Sequence, residues 1–200
     1  MIVDCKASTP KHLYELLVNA VVPRPIAWVS TISKDGISNL APFSFFNAFS
    51  ANPPILGFSP GLKRGPDNQP VQKDTLRNVL ETEEFVVNIV NLENAERMVQ
   101  SSANYDAQTS EFDQLQLTSL PSNKVKAPLL AESPINMECK LFKIVDLGSN
   151  QLVLGEILCI HVDDSICTNG IIDVAKLKPV ARLGGELYAA VKDSFLIERP

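Results

Sequence analysis

Proline is the feature of this sequence that most constrains its fold. The chain has 14 prolines among 200 residues, and several cluster at Pro23 and Pro25, at Pro53 and Pro54, and between positions 60 and 70. Because proline has no amide hydrogen, it is excluded from the interior of a central strand and favours turns and strand ends. We therefore expect the central strands in the stretches between these clusters.

The segments between the prolines predict strands joined by tight turns. Residues 26–33 and 37–40 form one predicted hairpin around the turn at 34–36, and residues 136–146 and 152–163 form another around 148–150. Residues 43–49 and 55–59 are two further predicted strands, and residues 60–72 a long loop of the kind that often has a functional role.

Two short amphipathic helices are predicted, at 11–20 and at 74–82, the second with Asp74 as its N-cap. Five to seven strands without a regular strand–helix alternation favour a mainly β fold, an antiparallel barrel with short helices packed outside it. The length predicts a single domain over 1–200.

Composition excludes several classes of protein. The net charge of −5 disfavours a nucleic-acid binder, and no apolar stretch approaches the length of a membrane span. The N-terminus has no secretory signal, so we expect a cytoplasmic protein. With four scattered cysteines and only His12 and His161, no metal site is expected; Cys159 is predicted to be buried and His161 to face out of the barrel. The nine glycines form no dinucleotide-binding fingerprint and no P-loop.

The start of the second predicted helix is a candidate anion site. A helix N-terminus offers unpaired N–H groups and a partial positive charge, and Lys73 and Thr75 would add a full charge and a hydroxyl there. The alternative is purely structural: Asp74 caps the helix and Lys73 is a solvated flank. These three residues alone favour the structural alternative.

A phenylalanine-rich segment follows the first hairpin. Four of the nine phenylalanines fall within 43–49. Strand alternation predicts Phe43, Phe45 and Phe49 on one face, in the barrel core, with Ser44 and Phe46 on the other. Arg24, between two prolines, is either aimed at a ligand or paired with a carboxylate on the surface.

These motifs occur in an order that resembles the flavin reductase-like family, the FMN-binding split-barrel proteins related to flavoredoxin. The resemblance covers nearly the whole chain and rests on the following segments: PRPIAWVST at 23–31, DG at 35–36, NLAPFSFF at 39–46, NPP at 52–54, KDT at 73–75, FVVNIVN at 85–91, SEF at 110–112, AP at 127–128 and RLGG at 182–185.

The resemblance implies an antiparallel split barrel that forms a homodimer, with one FMN bound non-covalently per subunit near the dimer interface. Lys73 and Thr75 would then hold the phosphate, Ser44 and the backbone of Ala41 and Phe43 would meet the ribityl chain and ring edge, and Arg24 would add a further contact. The full set of implied cofactor-binding residues is Arg24, Ser30, Thr31, Asn39, Ala41, Phe43, Ser44, Phe45, Lys73, Asp74 and Thr75. No catalytic side chain is predicted.

The function expected from the resemblance is an FMN-dependent oxidoreductase. Such a protein would use NADH or NADPH to reduce flavin or another small acceptor, and a partner oxygenase could receive the product. An FMN-binding electron carrier or storage protein, without efficient NAD(P)H activity, is the alternative. A barrel that has lost the cofactor is a third hypothesis.

Overall fold

The computed structural model of the chain describes residues 1–64, 67 and 69–198. Most of its strands are short, and two long ones dominate the sheet. The strands are β1 (Arg24–Pro25), β2 (Ala27–Ile32), β3 (Ser38–Phe43), β4 (Phe46–Ala51), β5 (Pro54–Phe58), β6 (Lys63–Arg64), β7 (Pro70–Val71), β8 (Glu84–Ile89), β9 (Ser119–Leu120), β10 (Leu129–Leu130), β11 (Ile135–Asp146), β12 (Gln151–Val162), β13 (Cys167–Thr168), β14 (Ile171–Ile172), β15 (Val180–Arg182) and β16 (Tyr188–Ala190). The helices are α1 (Pro10–Ala20), α2 (Asp74–Thr82), α3 (Ala95–Gln100), α4 (Glu111–Gln114) and α5 (Val174–Leu177), with 3-10 turns at Leu92–Asn94 and Asp164–Ile166.

Seven strands form one antiparallel sheet in the order β3-β2-β8-β11-β12-β5-β4. Its two outermost strands, β3 and β4, follow each other in the chain with only Ser44 and Phe45 between them. The sheet must therefore curl until its edges approach each other, which makes a barrel that is split between β3 and β4. The expected antiparallel split barrel is confirmed.

Both predicted hairpins are present. β2 pairs with β3 through a turn in which Gly36 has φ +85°, and β11 pairs with β12 through a turn in which Gly148 has φ +83°. These left-handed conformations are easily adopted only by glycine, so the turn residues specify where each hairpin bends.

The barrel interior is filled by aromatic and branched side chains. The ring of Phe58 lies 5.0 Å from that of Phe43 and 5.3 Å from that of Phe85. Helix α2 adds Leu76 and Val79 to this core. Each large side chain buried here contributes roughly 1.5–3 kcal/mol, so this interior supplies most of the driving force that closes the sheet.

A second core lies outside the barrel, under α3 and α4. Trp28 is fully buried there among Met98 and Phe112, and its Nε1 donates a hydrogen bond to Ser101 Oγ at 2.8 Å. β2 thus has apolar side chains on both faces, as a central strand requires.

Two predicted details are wrong. Residues 43–49 are not one strand, because the chain bends at Ser44 and Phe45 where the barrel splits; Phe43 and Phe46 pack on the core, whereas Phe45 and Phe49 are 37% and 57% exposed. Asp74 is the first residue of α2 rather than its N-cap, which is Lys73.

The loop predicted at 60–72 contains the short β6–β7 pair, and its residues Gly65, Pro66 and Asn68 lie outside the described residues. Within the described chain, no helix has the length and apolar character needed to cross a bilayer. The single domain over 1–200 stays a prediction.

Candidate functional site

A groove follows the split between β3 and β4. It consists of four adjoining cavities: a polar cavity of about 50 Å³ at the start of α2, a middle cavity of about 110 Å³, and two apolar cavities of about 380 and 590 Å³. The polar and middle cavities share Pro42, the middle and first apolar cavities share Ser44, and the two apolar cavities share Phe45. The segment 42–45 therefore borders the whole groove.

The polar cavity is built where α2 begins against β3. Lys73, Asp74, Thr75, Asn39 and Ala41 line it, so five of the eleven predicted site residues meet here. A lysine side chain cannot accept hydrogen bonds, so α2 begins without a side-chain cap. The positive end of the α2 dipole is therefore oriented toward this cavity, as an anion site requires.

The side chains of the polar cavity are fixed by hydrogen bonds. The Thr75 hydroxyl donates its one hydrogen to Asn39 Oδ1 at 2.8 Å, so it must turn away from Asn39 to donate to an anion in the cavity. Lys73 Nζ lies 5.4 Å from the centroid of the Phe43 ring, a cation–π contact that holds the ammonium over the barrel mouth. Asp74 pairs with Arg77 at 2.7 Å.

A buried carboxylate that was not among the predicted site residues completes this network. Glu111 accepts from Asn39 Nδ2 at 2.8 Å and from the Leu40 amide at 2.9 Å. Burial raises the pKa of Glu111, although these hydrogen bonds oppose the shift. The only signal in the sequence was its place in the SEF segment, which was used for the family resemblance and not for a role.

The Leu40 hydrogen bond also fixes which backbone groups of β3 face the groove. The Leu40 amide points away from β2 toward Glu111, and hydrogen bonding alternates along an antiparallel edge strand. The backbone of Ala41 and Phe43 is thus directed at β2, contrary to the implied role of these groups at the ligand. The carbonyl of Pro42 faces the groove instead.

Arg24 has a structural position that the sequence did not predict. Its Nη1 donates to the carbonyls of Val18 and Val21 at 2.5 and 2.8 Å, and its Nη2 to that of Leu183 at 2.9 Å. Burial lowers the pKa of this guanidinium, which is only 6% exposed and lies 5.9 Å from the Phe45 ring centroid. It caps the C-terminus of α1 and ties it to the residue just after β15, and both terminal nitrogens are used in doing so.

Ser30 and Thr31 lie behind the groove instead of lining it. Both are fully buried in the central strand β2. The Ser30 hydroxyl donates to the Pro128 carbonyl at 2.5 Å, and Thr31 Oγ1 accepts from Asn78 of α2 at 3.0 Å. Their side chains brace α2 and the neighbouring loop against the sheet, and the role of this strand end at the cofactor stays a prediction.

The remaining predicted residues border the wider part of the groove. Ser44 lines the middle cavity together with Arg182, whose guanidinium lies 4.5 Å above the Tyr188 ring and is hydrogen-bonded to the Tyr188 hydroxyl. Phe45 borders both apolar cavities. Phe43 is buried in the core and reaches the site only through the Lys73 contact.

Comparison with known proteins identifies the family of the chain. Residues 19–172 match the family described as flavin reductase like domain. An uncharacterized protein from Aquifex aeolicus is 45% identical over 177 residues, which cover 88% of this chain and 88% of that protein.

Two solved structures are also similar. Component B of nitrilotriacetate monooxygenase from Bacillus cereus is 33% identical with a TM-score of 0.92, and the match covers 98% of each chain. The 2-nitrobenzoate 2-nitroreductase NbaA from Pseudomonas fluorescens is 31% identical with a TM-score of 0.89, covering all of this chain and 96% of that one.

Proposed function

This chain belongs to the flavin reductase-like family, and from that premise we propose that it is an FMN-binding oxidoreductase that takes electrons from NADH or NADPH. The observation that carries the proposal is the shape and chemistry of the groove. A small polar cavity with Lys73 and Thr75 at a helix N-terminus opens past Pro42 and Ser44 into wide apolar space.

The order of polar and apolar regions along the groove matches the order of chemical groups along FMN. FMN has an anionic phosphate, a polar ribityl chain and a flat, largely apolar ring, in that sequence along the molecule. Lys73 and the α2 amides would hold the phosphate through charge-assisted hydrogen bonds, and the Thr75 hydroxyl would join them by turning from Asn39 to the phosphate. Ser44 and the Pro42 carbonyl would meet the ribityl chain and the ring edge, and Phe45 would flank the ring.

When bound, the flavin ring supplies the chemistry of accepting hydride from a nicotinamide and passing electrons onward. The protein supplies binding and orientation. Lys73 neutralises the phosphate charge, the apolar cavities exclude water from one side of the ring, and Asn39 and Glu111 hold Thr75 in position. No side chain of the described groove is assigned a proton-transfer role.

A second copy of the chain would complete the apolar end of the groove. Tyr14, Leu17 and Phe49 border the largest cavity while each remains more than half exposed. A homodimer that covers these side chains would remove a sizeable apolar surface from water. In a sedimentation experiment we expect a dimer for the natural chain and a shift toward monomer for Phe49→Asp.

The electron acceptor is a flavin or another small molecule, and a partner oxygenase is a candidate recipient of the reduced product. The similarity to component B of a monooxygenase supports a partner of this kind. The similarity to a nitroreductase supports direct reduction of a small acceptor. A cytoplasmic location stays a prediction from the sequence.

An anaerobic titration of the FMN-loaded chain tests the proposal. Addition of one equivalent of NADH or NADPH is expected to bleach the visible flavin absorbance. Dithionite serves as the control that the bound flavin can be reduced. Bleaching by dithionite but by neither nicotinamide would overturn the oxidoreductase in favour of an electron carrier, and a chain that binds no FMN would overturn both.

A further inference from the structure

We propose that Glu138, Cys159 and His161 form a binding site for a zinc ion, separate from the flavin groove. One ligand atom of each of these residues lies within 4.8 Å of the others. The site lies where β11 and β12 meet the loop at 123–125, on the outer face of the barrel. We call it the outer cluster.

Strand register brings the three residues together. Glu138 of β11 is the direct cross-strand partner of Cys159 on β12, and His161 follows two positions along the same strand. Glu138 and Cys139 are neighbours on β11, so Cys139 lies in the barrel core while Glu138 faces outward. The register skips Leu158 on β12, which places Ile157 opposite Cys139. Residues two apart on a strand share a face, so thiol and imidazole are both directed at the carboxylate.

The distances are close to those of a metal centre. Cys159 Sγ lies 3.6 Å from His161 Nε2, near the about 3.5 Å that separates sulfur and nitrogen ligands around a tetrahedral zinc ion. His161 Nε2 lies 2.6 Å from Glu138 Oε1. That contact would open by about 0.8 Å, to about 3.4 Å, as the ion replaces it with one bond to each atom.

The carboxylate is held in a fixed orientation. Glu138 is fully buried and accepts hydrogen bonds from the three amides of residues 123–125. The amide distances are between 2.5 and 3.1 Å. Such hydrogen bonds to a ligating carboxylate are typical of metal sites and strengthen them.

The ligand types specify the class of metal. A thiolate, an imidazole and a carboxylate together suit zinc and disfavour magnesium or calcium, which prefer oxygen alone. Cys159 and His161 are both half-buried, so a water molecule could occupy the fourth position. On binding, the Cys159 S–H bond breaks, a sulfur–zinc bond forms, and the proton is released to solvent. The Nε2 proton of His161 moves by exchange with solvent to Nδ1, so that the neutral imidazole binds the ion through Nε2.

This site had no signal in the sequence. The expectation of no metal site rests on the absence of a C-x-x-C pair and on the presence of only two histidines, and Cys159 is expected to be buried. The structure instead leaves Cys159 half-buried and pairs it with a carboxylate 21 positions away. His161 faces out of the barrel, as predicted, but against the loop rather than into open solvent.

Calorimetric titration of the FMN-loaded chain with Zn²⁺ tests the proposal, followed by metal analysis after gel filtration. We expect one zinc ion per chain. Because even residues that only support a ligand can cost 10–100-fold in affinity, Cys159→Ser and His161→Gln should each weaken binding by at least about 100-fold. Cys167→Ser, which alters another half-buried cysteine outside the cluster, is the matched control and should bind like the natural chain.

The proposal is overturned if the natural chain binds no zinc, or if Cys159→Ser and His161→Gln bind it as tightly as Cys167→Ser does. In the second case the ion sits elsewhere, for instance on the exposed Cys5. Hydrogen exchange gives an independent readout: zinc should slow exchange of the amides at 123–125 in the natural chain and leave it unchanged in Cys159→Ser.

Discussion

The polar cavity around Glu111 and the outer cluster around Glu138 are built on the same plan with opposite electrostatics. Each has one buried carboxylate that ties a separate segment to the barrel. The pKa of Glu111 is raised by burial, whereas the pKa of Glu138 is lowered because four hydrogen-bond donors surround it.

This difference separates two uses of a buried acid. Glu138 is the centre of its cluster, and the surrounding groups form hydrogen bonds with its carboxylate. Glu111 is a support: it accepts hydrogen bonds from Asn39 and from the Leu40 amide, and Asn39 in turn accepts the hydrogen bond of Thr75.

The largest expected effect is on the more highly charged of the two sites. Glu138→Ala leaves the buried amide of Val125, the part-buried amides of residues 123 and 124, and His161 without their acceptor, so we expect the free energy of unfolding to fall by about 3–5 kcal/mol. Urea unfolding measures this. Glu81→Ala, an exposed glutamate on α2, is the control and should change stability by less than about 0.5 kcal/mol. Equal effects of the two substitutions would contradict the account of Glu138.

The second prediction concerns ligand binding at the polar cavity. Each charge-assisted hydrogen bond to a phosphate contributes about 1.5–3 kcal/mol, so Lys73→Ala combined with Thr75→Ala should weaken FMN binding by at least about 100-fold. Quenching of flavin fluorescence provides the dissociation constant. The control Lys34→Ala, in the exposed hairpin turn, should bind FMN as the natural chain does. An unchanged affinity in the double variant would contradict the assignment of Lys73 and Thr75 to the phosphate.

The smallest expected effect is a pH dependence that comes from Glu111. Its pKa is higher in the folded chain than in the unfolded chain, so the folded state favours the protonated form. The contribution of Glu111 to the free energy of unfolding is therefore present below the ordinary carboxyl pKa and is lost as pH rises through the raised value.

Glu111→Gln should remove this pH dependence of the free energy of unfolding. The difference in free energy of unfolding between the natural chain and Glu111→Gln is expected to change from acidic to neutral pH, measured by urea unfolding at several pH values. For the exposed Asp113→Asn on α4, the same difference should stay nearly constant. If Glu111→Gln also gives a constant difference, the pKa of Glu111 is not raised.

Local patterns predicted the parts of the fold that local chemistry controls. Gly36 and Gly148 marked both hairpins because a turn with positive φ needs glycine wherever it occurs. The bend at Ser44 and Phe45 could not be predicted in this way, since it follows from closure of the whole sheet. The predicted alternation of inward and outward side chains therefore runs across residues 43–49, because nothing in this segment marks the split.

The site was predicted in part for the same reason. Lys73 and Thr75 lie at a helix start, which is a local feature, and the structure brings them to one cavity; their role at a phosphate stays a prediction. Ser30 is covered by the loop that carries Pro128, and Arg24 donates to carbonyls of α1 and of Leu183, just after β15. Contacts between segments far apart in sequence decided these positions, as they did for Glu111 and for the outer cluster.

A crystal structure of the chain with FMN tests the central claim most directly, namely that the start of α2 holds the cofactor's phosphate. We expect the phosphate within hydrogen-bond distance of Lys73 Nζ and the Thr75 hydroxyl, with the ring extending past Ser44 toward Phe45. A phosphate located at Arg24, at Arg182 or away from the groove would contradict the account.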